Sequence, residues 1–430
     1  MYPDFNFLFQ EWFGIDIPFL HFFKTFGFLV AIAFLCGGYI MYHELYRKEK
    51  EGLLNFTIQE QIGQKKSSIL DILYAALIGF ILGYKIVGMF LSTENVSDDP
   101  LSYLLSTKGH VLAGIIGTLF FTTFKAWQFF TKKQNEEIVK KVKMYPRHRV
   151  GDIIMIAAIG GFAGAKIFNA LETWDQFLAD PLGSLLSGSG LTFYGGLIVA
   201  TIALWIYSKK IKLDFRHLCD ATAPALILAY GIGRLGCQVA GDGDWGIFNA
   251  AYITNEKDKV ALSQNSFEEN VQTFHQYVFR HFEKDQPIPH KTCKAPAGIP
   301  TWLVAYNYPH NVNGEGIAMK SFTGKYNAVL PIPVFPTPLY EFVMCLIIFA
   351  FLWRIRKKVK IPLRLFSIYL IWNGIERFLI EQIRVNTTYD LGFIKPTQAE
   401  IIAVAIVVCG VILYFFSKTI QQKIAAKVLP

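Results

Sequence analysis

The sequence predicts an all-α polytopic membrane protein of about nine transmembrane helices, with the N-terminus outside and the C-terminus in the cytoplasm. Three observations carry that prediction. The 430-residue chain is 53% hydrophobic and 15% aromatic but only 17% charged, which is more apolar than an ordinary soluble domain. Its apolar residues fall into runs of membrane-spanning length. Its lysines and arginines gather in every second loop between those runs, as the positive-inside rule requires. The net charge of +9 therefore reports topology and not a nucleic-acid partner, because the basic residues form short clusters between apolar segments.

Residues 1–25 form an interfacial N-terminal segment crowded with Tyr2, Phe5, Phe7, Phe9, Trp12 and Phe13, as in a stretch lying in the headgroup zone. No basic n-region or small-residue cleavage site precedes the first apolar run, so that helix is expected to stay as an anchor. The first span is 26–45, and Arg47, Lys48, Lys50, Lys65 and Lys66 put the following loop in the cytoplasm. Span 69–91 leads outward to the acidic stretch 92–99, and span 111–130 returns to Lys132, Lys133, Lys140, Lys141, Lys143, Arg147 and Arg149. Span 153–171 reaches Glu172, Asp175 and Asp180 outside, and span 192–207 comes back to Lys209, Lys210, Lys212 and Arg216. Span 218–233 ends outside. Residues 247–335 are too polar and too often broken by proline to cross, and form an external domain. Span 338–353 runs into Arg354, Arg356, Lys357, Lys358 and Lys360, span 365–383 goes outward, and span 399–416 leaves a basic tail inside. The organisation is thus 26–130, 131–246, 247–335 and 336–430 after the N-terminal segment.

A helical hairpin is duplicated. A shift of 81 residues overlays Asp71 on Asp152, Gly79 on Gly160, Gly83 on Gly164, Lys85 on Lys166, Asp99-Pro100-Leu101 on Asp180-Pro181-Leu182, Leu104-Leu105-Ser106 on Leu185-Leu186-Ser187, Gly109 on Gly190 and Gly114 on Gly195. Each copy holds two spans, so both point the same way across the membrane, unlike the inverted repeats of many secondary transporters.

The chemistry concentrates at the outer ends of three spans. Tyr230-Gly-Ile-Gly-Arg-Leu-Gly236 closes an apolar helix, and Gly241-Asp-Gly-Asp-Trp-Gly246 follows it. An arginine at that depth is costly and by default functional. Glycines beside it let backbone approach a ligand or turn with positive φ. Gly231-Ile-Gly-Arg-Leu-Gly236 also spells GxGxxG, but a dinucleotide fingerprint follows a strand and opens a helix, whereas this one ends a helix. The bland reading is an arginine that snorkels to the interface. On span 365–383, Arg377 and Glu381 stand at i and i+4 with Arg384 beyond, either a self-neutralising pair or part of an anion site. With Arg234 these arginines leave an excess of positive charge where a lipid phosphate would lie, and guanidinium binds phosphate oxygens in pairs. Asp220, Asp242 and Asp244 are candidate bases or orienting groups, with Asp220 near the inner start of its span. Tyr194, Gly195 and Gly196 open span 192–207 from outside, and Tyr340 and Glu341 enter span 338–353 from outside, where Glu341 should pair with an arginine or a backbone amide. Cysteines 36, 219, 237, 293, 345 and 409 show no CxxC or metal spacing, so no metal is expected.

Taken together, these stretches resemble the prolipoprotein diacylglyceryl transferase family. The resemblance rests on Tyr230–Gly236 with Gly241–Gly246, against a family signature of roughly GRxGNFxNGExxG, on Phe193-Tyr-Gly-Gly-Leu197, on Pro336-Thr-Pro-Leu-Tyr-Glu341, and on Arg377-Phe-Leu-Ile-Glu381-Gln-Ile-Arg384. It implies a seven-helix core, and transfer of a diacylglyceryl group from phosphatidylglycerol to the lipobox cysteine of a preprolipoprotein, without metal or other cofactor. It also implies a bacterial cytoplasmic membrane and an active site toward the external leaflet. The family's two essential arginines map to Arg234 and Arg377, its signature acid to Asp242, and its aspartate before the signature to Asp220. Tyr194 is carried as a catalytic candidate. Gly236, Gly241, Gly246, Gly195, Gly196, Glu381, Arg384, Asp220, Tyr340 and Glu341 are carried as substrate-binding.

Three departures stand out: Tyr194 replaces a histidine of many members, Cys237 an asparagine, and Asn373 a tyrosine. The acceptor of the thiol proton is therefore open. Two rival readings use the same residues: a lipid or organic-anion transporter, and an inactive lipoprotein-binding homologue.

Overall fold

The computed structural model describes residues 1–62, 69–91, 103–104, 106–131, 139–186, 190, 192–282, 287–386, 389, 392 and 395–428. Every predicted apolar run coincides with a helix. In chain order the principal helices are α1 (Phe5–Phe13), α2 (Thr25–Lys50), α3 (Ile69–Leu91), α4 (Val111–Thr131), α5 (Val150–Glu172), α6 (Phe193–Lys210), α7 (Phe215–Ala240), α8 (Thr337–Ile355), α9 (Arg364–Glu381) and α10 (Gln398–Val428). Among the described residues seven helices, α2 to α5, α7, α8 and α10, are long and apolar enough to cross a membrane. The other two predicted spans are helices of lower apolar content: α6 closes on Lys209 and Lys210, and α9 carries Arg364, Glu376, Arg377 and Glu381. The chain is a multi-pass, mostly helical membrane protein.

Two compact units are present, Leu45–Phe215 and Met1–Glu44 with Arg216–Pro430. In the first, the duplicated hairpin is visible as repeated packing. A Cβ on Gly83 of α3 would run into the Ala113 carbonyl of α4, and one on its counterpart Gly164 of α5 into the Gly195 carbonyl of α6. Lys85 donates to the Tyr103 carbonyl at 3.1 Å and Lys166 to the Ser184 carbonyl at 3.3 Å, so donor and acceptor both keep the 81-residue offset. Asp99, Pro100, Leu101, Leu105 and Ser187 of the repeat lie outside the described residues, as do Lys65, Lys66, Lys132, Lys133 and the acidic stretch 92–99. One element was not expected: Thr57–Ile62 pairs antiparallel with Val139–Met144. Alternating residues such as Ile58-Gln-Glu60 suit a strand, but between spans they read simply as loop.

In the other unit Ile227, Cys345, Ile348, Leu352 and Leu365 form a buried core between α7, α8 and α9. Helices α9 and α10 meet through glycines: a Cβ on Gly374 would lie 2.7 Å from the Ala403 carbonyl, and one on Gly410 2.9 Å from that of Ser367. The insert 247–335 has a core of its own, including Phe248, Val278, Tyr308, Leu330 and Ile332. Among the described residues its longest helices have seven residues, Phe267–Thr273 and His275–His281, too short to cross a membrane. Where the insert leaves and rejoins the helices, backbone bonds tie three segments together: Gly246 N to Phe335 O at 2.9 Å, Phe335 N to Ile247 O at 3.1 Å and Ile247 N to Ile383 O at 2.9 Å.

The N-terminal segment is more than a surface float. Buried Asp4 caps α1 through the Phe7 amide at 2.9 Å and accepts from Tyr326 of the insert at 2.7 Å, while Tyr2 N reaches Val239 O at 2.8 Å. Trp12 and Phe13 remain exposed, in keeping with an interfacial face.

Candidate functional site

Three helix ends build the site: the C-terminal end of α7, the N-terminal end of α8 and the C-terminal end of α9. At its centre is Glu341, fully buried in the first turns of α8. It accepts from Tyr230 Oη at 2.5 Å, Arg234 Nε at 2.8 Å and Arg384 Nη1 at 3.2 Å. Asp244, on the loop after α7, pairs with both Arg234 and Arg384. The Arg234 guanidinium also stands 5.1 Å from the centre of the Tyr230 ring, one turn back on its own helix. Two arginines and two acids thus form a closed ring, with Arg234 and Arg384 each retaining a partly exposed edge.

Arg384 reaches this ring because α9 stops at Glu381 and the chain turns. The bond from Ile247 N to Ile383 O fixes that turn. Gly246 makes it possible: a Cβ there would stand 2.6 Å from Ile383 O and 3.0 Å from Phe335 O.

Arg377 holds Glu381 at 2.8 Å, the predicted i, i+4 pair. Glu381 is buried and also accepts from Thr397 at 2.7 Å and from Asn386. Arg377 keeps one buried terminal nitrogen, Nη1, without a hydrogen-bond partner among the described residues. One residue earlier lies Glu376, 1% exposed, with neither carboxylate oxygen hydrogen-bonded. Glu341, Arg377, Arg234 and Arg384 are the charges acting on it, so Arg234 and Arg377 share a neighbourhood.

Several expectations are corrected by this geometry. The arginines do not carry excess charge: Arg234, Arg377 and Arg384 are matched by Asp244, Glu341 and Glu381. Asp220 does not join the cluster. It is buried and accepts from the Leu363 and Phe366 amides at 3.1 and 3.0 Å, capping the start of α9, about 20 Å along α7 from Arg234. The glycines meet packing and turn constraints. Gly236 fits against Phe26 and Leu29 of α2, Gly241 turns with φ +67° against Asn311, and Gly246 seats the Ile383 carbonyl. In the other unit, Gly195 meets Phe168 and Gly196 the Gly161 carbonyl, both on α5. Tyr340 donates to the Leu303 carbonyl of the insert instead of entering the ring. Asp242 stays out of the ion pairs, with its Oδ1 3.4 Å from the Asp244 amide and its carbonyl receiving Asn313 at 2.7 Å. Tyr194, at the start of α6, is 37% exposed.

The sequence reading passed over Tyr230 and Glu376. Glu376 carried a signal, an acid within an apolar span. Among the described residues no cluster of histidine, cysteine or acids could hold a metal ion.

Comparison with known proteins adds what geometry alone does not. A family model described as prolipoprotein diacylglyceryl transferase matches residues 110–416. A phosphatidylglycerol--prolipoprotein diacylglyceryl transferase of Dehalococcoides mccartyi is 23% identical over 332 residues, covering 76% of this chain and 97% of that protein. Proteins of the same name from Leptospira interrogans and Corynebacterium glutamicum are 27% and 25% identical, over 58% and 71% of this chain and 65% and 76% of their own lengths.

Proposed function

We propose a function from one premise: this chain belongs to the prolipoprotein diacylglyceryl transferase family. It is a transferase that moves the diacylglyceryl group of phosphatidylglycerol to the thiol of a prolipoprotein cysteine, the first step of lipoprotein maturation. The observation that supports this most directly is the arginine ring together with nearby Arg377, whose Nη1 has no hydrogen-bond partner among the described residues; these guanidinium groups suit a phosphate ester. Arg234 and Arg377 hold the phosphate. The sulfur attacks the glycerol carbon, the carbon–oxygen bond breaks, and glycerol phosphate leaves with its new negative charge facing the same guanidinium groups.

Glu341 and Asp244 fix Arg234 and Arg384, so the donors are set before the lipid arrives. Asp242 shapes the loop after α7. The enzyme sits in the bacterial inner membrane with nine crossings, N-terminus outside, its ring at the external leaflet and the insert 247–335 outside. Lipobox signal peptides and membrane lipids are its partners.

The test is to incubate the purified protein with phosphatidylglycerol and a lipobox peptide. A diacylglyceryl mass increase on cysteine with release of glycerol phosphate, both lost in Arg234→Ala, supports the reading. Movement of intact phosphatidylglycerol with no product overturns it.

A further inference from the structure

A thiol must lose its proton before it attacks, and the proton needs an acceptor with a free lone pair. The acids of the ring are spent. Asp244 is engaged by two guanidinium groups and Glu341 by two guanidinium groups and the Tyr230 hydroxyl, while Glu381, beside the ring, has Oε1 taken by Asn386 and Thr397 and Oε2 ion-paired with Arg377 at 2.8 Å. The lone pairs of carboxylates so held are occupied by donors that would have to be displaced before a proton could bind. Glu376 differs: it is 1% exposed and neither of its oxygens has a hydrogen-bond partner among the described residues. Burying a carboxyl group without partners is costly, so an acid kept in this state is a candidate for chemistry.

Its depth agrees. The groups around it are Glu341 and Cys345 of α8, Tyr230 and Arg234 of α7, Tyr369 and Arg377 of its own helix, and Arg384 beyond the helix end. Tyr230 and Cys345 each lie one helical turn deeper than Arg234 and Glu341, so Glu376 borders the membrane-core side of the ring. The lipid carbon under attack is on that same side of its phosphate, since it leads to the acyl chains.

We propose that Glu376 is the proton acceptor for the substrate thiol in the transfer reaction, an inference that rests on the function given above. The thiol proton passes to a Glu376 oxygen as the sulfur lone pair forms the S–C bond. The electrons of the breaking C–O bond go to the phosphate oxygen facing Arg234 and Arg377. Glu376 then returns its proton to the departing glycerol phosphate or to water, and the balance closes without a further reactant.

The experiment compares a lipobox peptide bearing cysteine with one bearing selenocysteine, whose selenol ionises without help at neutral pH. In Glu376→Gln, turnover of the cysteine peptide should fall by about 100-fold or more. The KM for phosphatidylglycerol should stay within about twofold, and the selenocysteine peptide should lose less than about tenfold. Equal losses with both peptides, or a raised KM with unchanged kcat, would mean a structural or lipid-holding role and overturn the proposal. So would an undiminished rate with cysteine. If the glutamine variant is not recovered folded, Glu376→Asp, which keeps the carboxylate but draws it back, is read by the same cysteine-to-selenocysteine ratio. Absence of transfer by the unsubstituted protein would sink the function itself, whereas normal transfer by Glu376→Gln would sink only this assignment.

Discussion

Glu341→Gln removes the charge at the centre of the ring while keeping side-chain volume. Glu341 is fully buried and accepts from Tyr230, Arg234 and Arg384, so the change strips two guanidinium groups of their shared buried partner. Breaking a buried pair by removing one member costs about 3–5 kcal/mol. Here the lower end applies, because the Arg234 and Arg384 side chains keep 21% and 14% exposure and Asp244 still holds both. A loss of about 3 kcal/mol in the positioned state corresponds to roughly 100-fold or slightly more in kcat/KM. The assay is release of glycerol phosphate from phosphatidylglycerol in the presence of a lipobox peptide, with the unfolding midpoint in micelles measured in parallel. A value within about threefold of the unsubstituted protein, worth less than about 0.7 kcal/mol, would refute the claim that Glu341 sets the arginines.

Arg377→Lys keeps the charge but loses the planar fork and its unpartnered Nη1, so kcat/KM should fall by about 100-fold while the protein still purifies intact. Asp220→Ala should lower the unfolding midpoint through loss of the α9 cap, worth about 1 kcal/mol, with the KM for phosphatidylglycerol unchanged. Acid should release the N-terminal segment. Burial pushes the Asp4 carboxyl up, but bonds from Tyr326, the Phe7 amide and His21 outweigh it and hold the group below the usual carboxylate range. Its contribution is therefore present above the unfolded value of 3.8 and is lost as pH falls through the lower folded value. Limited proteolysis of the segment should accelerate below about pH 4, and Asp4→Asn should show fast cleavage already at pH 7.

Much of the fold was written in apolar run length. The helices α2 to α10 lie where those runs lie, because a span must satisfy its backbone internally whatever its neighbours. The repeat was equally legible, and Lys85 and Lys166 meet equivalent carbonyls. The ribbon of Thr57–Ile62 with Val139–Met144 was not, since pairing between loops 80 residues apart leaves little local trace. At the site, the residue types were readable but their partners were not. Arg234, Arg384 and Glu341 stood out as charges in apolar segments, whereas the closure of the ring depends on Asp244 and on the turn after Glu381. Asp220 was carried as a site residue by the family resemblance, whereas its place near the inner start of its span favoured a structural role, and it caps α9.

The most direct measurement is a structure of the protein in phosphatidylglycerol nanodiscs. The account predicts a lipid phosphate within hydrogen-bond distance of Arg234 and of the Arg377 Nη1, with its first glycerol carbon toward Glu376. A phosphate bound elsewhere, or one that touches only one of the two arginines, would contradict it.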